Sequence, residues 1–133
     1  MLIAKQNLII TINEAILMKK QNLVSFPENL EAMRKFSETY AKRTGTFFCI
    51  DSSVTAVVIE GLARHKDQYG APLCPCRHYE DKKSEISATY WNCPCVPMRE
   101  RRECHCMLFL TPDNEFASDL QEIDKITLTE QIS

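Results

Sequence analysis

A chain of 133 residues, 44% of them hydrophobic, is long enough for one compact domain and too short for two ordinary ones. Its formal charge of −2 argues against nucleic acid as the main partner, because phosphate binding calls for a basic excess. It contains no run of about 18 apolar residues of the kind that spans a membrane as a helix.

Residues 1–24 are rich in Ile, Leu, Asn and Lys and contain no Arg, Ser or Cys. They lack the apolar core and small-residue cleavage site of a secretory signal, and they fit poorly the Arg- and Ser-rich pattern of a transit peptide. Residues 1–27 are therefore expected to form a loosely ordered arm ahead of a domain at 28–133. The first helix is expected near Ser25, which has capping-box spacing to Glu28, with Pro27 suited to a first turn. Leu30, Met33, Phe36 and Tyr40 continue it as an apolar stripe, and Gly45 is its stop. A second helix is predicted from Ser52 to Tyr69. Asp51, Ser52 or Ser53 is its cap, Val54, Val57, Val58 and Leu62 are its expected buried face, and Gly70 with Pro72 ends it. The valines alone favour a strand, but the length and the flanking caps favour a helix. Beyond Pro72 the pattern is punctuated by Pro75, Pro94, Pro97 and Pro112. A short helix is predicted between Asp81 and Thr89. The apolar run Met107, Leu108, Phe109, Leu110 suits either a strand or a buried helical turn. The tail after Asp113 is acidic and turn-rich, with one last helical turn or two.

The chemistry sits in the cysteines. Six of the seven form three Cys-x-Cys pairs within 33 residues: Cys74 and Cys76, Cys93 and Cys95, Cys104 and Cys106. An odd, clustered count is unlike a secreted disulfide scaffold and points to a reducing compartment. Proline inside the first two pairs drives the preceding cysteine toward extended geometry, in which residues i and i+2 face the same way. A bridge within one pair would close a strained ring, so bridges are expected between pairs. Four thiolates can cage an iron–sulfur cluster, leaving two for a redox disulfide. A structural zinc module without catalysis competes with that reading, although zinc usually takes cysteines spaced two to four residues apart and would leave two over. A disulfide framework is disfavoured by the compartment argument. His105 lies between two cysteines, where an imidazole can depress a thiol pKa or deliver a proton. His65 and His78 are read as ordinary polar residues and Cys49 as a small buried hydrophobe. Arg77, Arg99, Arg101 and Arg102, with Lys82 and Lys83, are singly a solvated face and together a surface that steers an acidic redox partner.

The order Cys-Pro-Cys, sixteen residues, Cys-Pro-Cys, eight residues, Cys-His-Cys resembles the catalytic chains of the photosynthetic ferredoxin–thioredoxin reductase family. Segments 41–44, 53–65, 76–81, 91–101 and 103–114 share the likeness, which spans about Ala32 to Asp119. Residues 1–30 and the tail beyond Asp119 have no clear counterpart. The resemblance implies a mostly α, small single domain of about five helices and irregular loops, wrapped around a [4Fe–4S] cluster in a flat disc. It implies Cys74, Cys93, Cys95 and Cys104 as cluster ligands and a redox-active disulfide between Cys76 and Cys106. Cys76 is then the exposed nucleophile and His105 the proton-transfer residue. The activity implied is two-electron reduction of the thioredoxin disulfide by ferredoxin. The implied partners are ferredoxin, thioredoxin and a separately encoded variable subunit of β-barrel type. A plastid-encoded chain of the chloroplast stroma, or a cyanobacterial cytoplasmic one, is the expected origin.

Overall fold

A computed structural model describes residues 26–133. It contains five helices: α1 (Leu30–Thr44), α2 (Ser52–Tyr69), α3 (Lys82–Ala88), α4 (Val96–Arg101) and α5 (Lys125–Ile132). Three isolated antiparallel bridges replace a sheet among the described residues. Of the arm expected at 1–27, residues 1–25, with the Ser25 cap, lie outside them.

Helix α1 begins one turn later than the capping-box spacing predicts, and its first amides are satisfied from elsewhere. The Glu28 and Asn29 backbone N–H groups donate to the Asp67 carboxylate at 2.7 and 3.0 Å, so the last turn of α2 caps the first turn of α1. Gly45 ends α1 as expected, with φ 66° and its N–H donating to Ala41 O. Only a residue without a Cβ takes that backbone without strain. Leu30, Met33, Ser37 and Ala41 are buried. The Ser37 hydroxyl donates to Met33 O at 2.7 Å and so stays satisfied. Phe36 and Tyr40 instead carry the stripe into an aromatic cluster with Phe109, at 6.2 and 4.7 Å between ring centroids.

Helix α2 is the element the rest packs on, contacting α1, α5 and, more lightly, α3. Asp51 caps it by accepting from Ser53 N–H at 3.0 Å, and Gly70 closes it, both as expected. The buried face differs from the prediction. Val58 and Leu62 are inside with Thr55, Ala56, Ile59 and Ala63, but Val57 is 61% exposed and Val54 only half-buried. Thr55, Ala56, Ile59 and Ala63, rather than Val54 and Val57, join Val58 and Leu62 on the packed face. Burying Ile59 and Leu62 fully contributes roughly 1.5–3 kcal/mol each. Gly61 lies mid-helix, where glycine costs about 0.5–1 kcal/mol relative to alanine.

Helix α3 occupies the predicted interval, with Asp81 accepting from Ser84 N–H and Thr89 ending it in the left-handed region. Helix α4 is a finding the sequence reading missed. Pro97 is a first-turn proline, not a break, and Arg99 and Arg101 occupy the last turn. The run Met107–Leu110 is neither strand nor helix. Leu110 exchanges two backbone bonds with Phe47 at 2.8 and 2.9 Å, while Leu108 and Phe109 are fully buried. The tail ends in two turns of helix, α5, capped by Asp124 and seated on α2 through buried Leu128.

Candidate functional site

The first two cysteine pairs are held side by side by backbone. Leu73 and Asn92 form an antiparallel bridge. Beside it, Cys74 N–H donates to Trp91 O and Cys93 N–H donates to Pro72 O, each at 2.9 Å. Residues 75–76 form a turn rather than the extended segment that Pro75 suggests, because Cys74 is pinned on both sides. Its carbonyl also accepts from Tyr79 Oη at 2.7 Å. The sulfurs of Cys74 and Cys76 still converge. The second pair contains a cis Cys93–Pro94 peptide, and Cys95 is the N-cap of α4. In the third pair, Met107 N–H closes a turn onto Cys104 O at 3.1 Å, with Met107 at φ 60°.

These three loops bring Cys74, Cys93, Cys95, Cys104 and Cys106 to one cavity. Its other walls are Val58 and Leu62 from α2, Met98 from α4, and Trp91, Pro94, His105, Leu108 and Phe109. Cys76 is the remaining motif cysteine. It is exposed and is not part of that lining. The sulfurs of Cys74, Cys76 and Cys106 nevertheless lie within 4.8 Å of one another, and the Cys74 and Cys106 sulfurs are 2.8 Å apart. No disulfide joins any two of the seven cysteines. Cys49 is buried, apart from the others, beside the bridge to Ala117.

The electrostatics separate the thiols. Burial in apolar surroundings pushes Cys93 well above the ordinary thiol range, and neighbouring sulfurs add to it. Burial also raises Cys104 and Cys95. Cys106 is raised by its contacts with Cys74 and Cys76, then by burial. Cys76 goes the other way. Hydrogen bonds from Cys106 and Cys74 bring it down to about 4, so the trio ionises most readily there. Several buried thiols that resist ionisation alone are a set a cation would neutralise, with release of their protons. An all-sulfur donor set in an apolar cavity suits an iron–sulfur cluster or zinc and does not suit a hard cation. The residues present therefore fit the cluster implied by the sequence.

Two groups beyond the predicted set shape this place. Trp91 lines the cavity, with the Arg77 guanidinium 3.9 Å from its ring centroid and the His105 ring 6.5 Å away. Tyr79 is buried, and desolvation raises its pKa, so it remains a hydroxyl donor to Cys74 O. A lone tryptophan two residues from a cysteine pair was the available signal for the first; nothing local marked the second. His105 is exposed, between buried Cys106 and half-buried Cys104. His78 is exposed, while buried His65 has Nδ1 at 2.6 Å from Leu73 O, a satisfied polar group as expected. Arg99 donates to Pro94 O, Arg102 to Thr44 O, and Arg101 pairs with Glu103, so three of the flanking arginines also brace local structure.

The family model described as ferredoxin thioredoxin reductase catalytic beta chain matches residues 24–131. The chain belongs to this family. A ferredoxin-thioredoxin reductase catalytic chain from Pyropia yezoensis is 98% identical over 116 residues, covering 87% of this chain and all of that one. The catalytic chain from Synechocystis sp. is 71% identical over 103 residues, 77% of this chain and 87% of its own length. The chloroplastic catalytic chain from Arabidopsis thaliana is 70% identical over 96 residues, 72% of this chain and 66% of its own. The reductase family match is wider at both ends than the span 32–119 read from the sequence. As in the sequence reading, no helix among the described residues is long and apolar enough to cross a membrane.

Proposed function

We propose that this chain is the catalytic subunit of a ferredoxin–thioredoxin reductase and reduces the thioredoxin disulfide with electrons from ferredoxin. The observation that carries the reading is the five-in, one-out arrangement of the motif cysteines. Five face one apolar cavity, and Cys76 stands exposed with its sulfur within 4.8 Å of those of Cys74 and Cys106. Cys74, Cys93, Cys95 and Cys104 would hold a [4Fe–4S] cluster. When bound, that cluster supplies one-electron transfer and storage between ferredoxin and the thiol pair.

The residues of the chain divide the remaining work. Cys76, as thiolate, attacks one sulfur of the thioredoxin disulfide and forms a mixed disulfide, expelling a thioredoxin thiolate. Cys106 then attacks the Cys76 sulfur. Thioredoxin leaves as a dithiol, and Cys76 and Cys106 are left bonded. Returning that disulfide to two thiols takes two electrons, one from each of two reduced ferredoxins, and two protons. His105 would carry such a proton at its ring, a role supported by its exposure and by its position next to Cys106 in the chain. Exposure supports Cys76 rather than Cys74 as the nucleophile: Cys74, 2.8 Å from Cys106, is buried.

The relatives' printed names support ferredoxin and thioredoxin as partners, and "catalytic chain" supports a separate variable subunit. Relatives from Synechocystis and from chloroplasts support a plastid stroma or a cyanobacterial cytoplasm as the compartment. The deciding experiment measures iron, acid-labile sulfide and free thiols on anaerobically purified chain. Iron and sulfide in equal amounts, with two additional thiols after reduction, are expected. Zinc in their place would return the chain to a structural metal module.

A further inference from the structure

We propose that Gly61 is a positioning residue for the reaction: it is a notch in α2 that seats Pro75, and this contact sets where the Cys76 sulfur stands relative to Cys106. The inference rests on reading Cys76 and Cys106 as the exchanging pair. A Cβ at position 61 would meet Pro75 Cβ at 2.5 Å and Cγ at 2.9 Å, both closer than real Cβ atoms come. Gly45 and Gly70 have positive φ and need glycine for their backbone; Gly61 does not, so its reason is the close approach itself. Neither colliding atom is the end of a flexible side chain. Pro75 is a ring inside a turn whose retreat is opposed by the bond from Cys74 N–H to Trp91 O and the bond from Tyr79 Oη to Cys74 O. Arg77, two residues after Pro75, is itself anchored with its guanidinium 3.9 Å from the Trp91 ring centroid. A methyl group at 61 therefore displaces the turn that carries Cys76, while Val58 and Leu62, on the same helix, continue to wall the cavity. Disulfide geometry tolerates only narrow Cβ separations, so such a displacement strains the oxidised form more than the dithiol.

The test uses the full chain, purified anaerobically, as wild type, Gly61→Ala, Pro75→Gly and the double variant. The Cys76–Cys106 equilibrium is read in defined dithiol buffers by alkylation and peptide mass mapping, alongside the melting temperature. Gly61→Ala is expected to shift the equilibrium about tenfold toward the dithiol, equivalent to about 30 mV for a two-electron couple. It is also expected to lower the melting temperature, although the same change at an open helical site raises it. Pro75→Gly removes both colliding atoms, so the double variant should return to the Pro75→Gly values. Such non-additivity is the signature of direct contact. A Gly61→Ala equilibrium equal to wild type, or additive effects in the double variant, would overturn the proposal. If Gly61→Ala does not fold, a folded double variant supports the notch and an unfolded one refutes it. A wild type that never forms the Cys76–Cys106 disulfide refutes the exchange pair instead; the notch is then decided by whether Pro75→Gly rescues the melting temperature.

Discussion

Cys74 and Cys76 are two residues apart in one turn, yet they meet opposite surroundings. One is buried, and the other is exposed, with its pKa lowered by hydrogen bonds from the neighbouring sulfurs. Cys76→Ser should therefore keep iron at the wild-type level and abolish thioredoxin reduction, measured by reduced thioredoxin formed per chain. Cys93→Ser should lower the iron content if Cys93 is one of the proposed cluster ligands, since it lines the cavity; full iron loading there would void the ligand set. His105→Ala should leave iron intact and slow turnover by about a hundredfold, the low end for loss of a general acid–base group. Unchanged rates would demote His105 to scaffold. The six cysteines and His105 stood out as candidates in the sequence because their clustering is itself a chemical signal, while their separate roles were implied only by the family resemblance. Gly61 and Tyr79 were not, since each acts on a residue brought to it only by folding. A mid-helix glycine without a turn to serve was the sole hint of the former.

At the scale of elements, the helix ends were readable and the helix faces less so. Asp51 and Gly70 bracket α2, and Asp81 and Thr89 bracket α3, because caps are local chemistry. The inward side of α2 depends on what packs against it, so Val58 was placed correctly but Val54 and Val57 were not, and α4 was hidden by reading Pro97 as a break. Three caps also make stability depend on pH. Asp51 and Asp81 are held below the usual carboxylate range by bonds from Ser53 and Ser84, and Asp124 by the Thr127 backbone N–H and then its hydroxyl. Their contribution is complete above the unfolded carboxylate value of about 3.9 and is lost as pH falls through the lower folded values. The melting temperature should drop on acidification across that window, and less so in the triple Asp→Asn variant at 51, 81 and 124. The cap in trans behaves differently: Asp67→Ala uncaps α1 and should cost about 1 kcal/mol in urea titration, with the midpoint moved and the slope unchanged.

For the molecule as a whole, α2 joins the framework to the chemistry. One side of it seats α1 and α5, and Val58 and Leu62 wall the cysteine cavity. Caps and apolar periodicity marked α1, α2 and α3 in the sequence, and the family resemblance implied the mostly helical class that the structure has. The convergence of three loops on one cavity was not, because it rests on a single bridge between Leu73 and Asn92 and on a buried Phe109 held by Phe36 and Tyr40. The only indole in the chain stands against that cavity, under a guanidinium and beside five sulfurs. Selective excitation of Trp91 thus gives a label-free optical gauge: its emission should change as the thiols pass from oxidised to reduced, and the protein carries its own indicator dye.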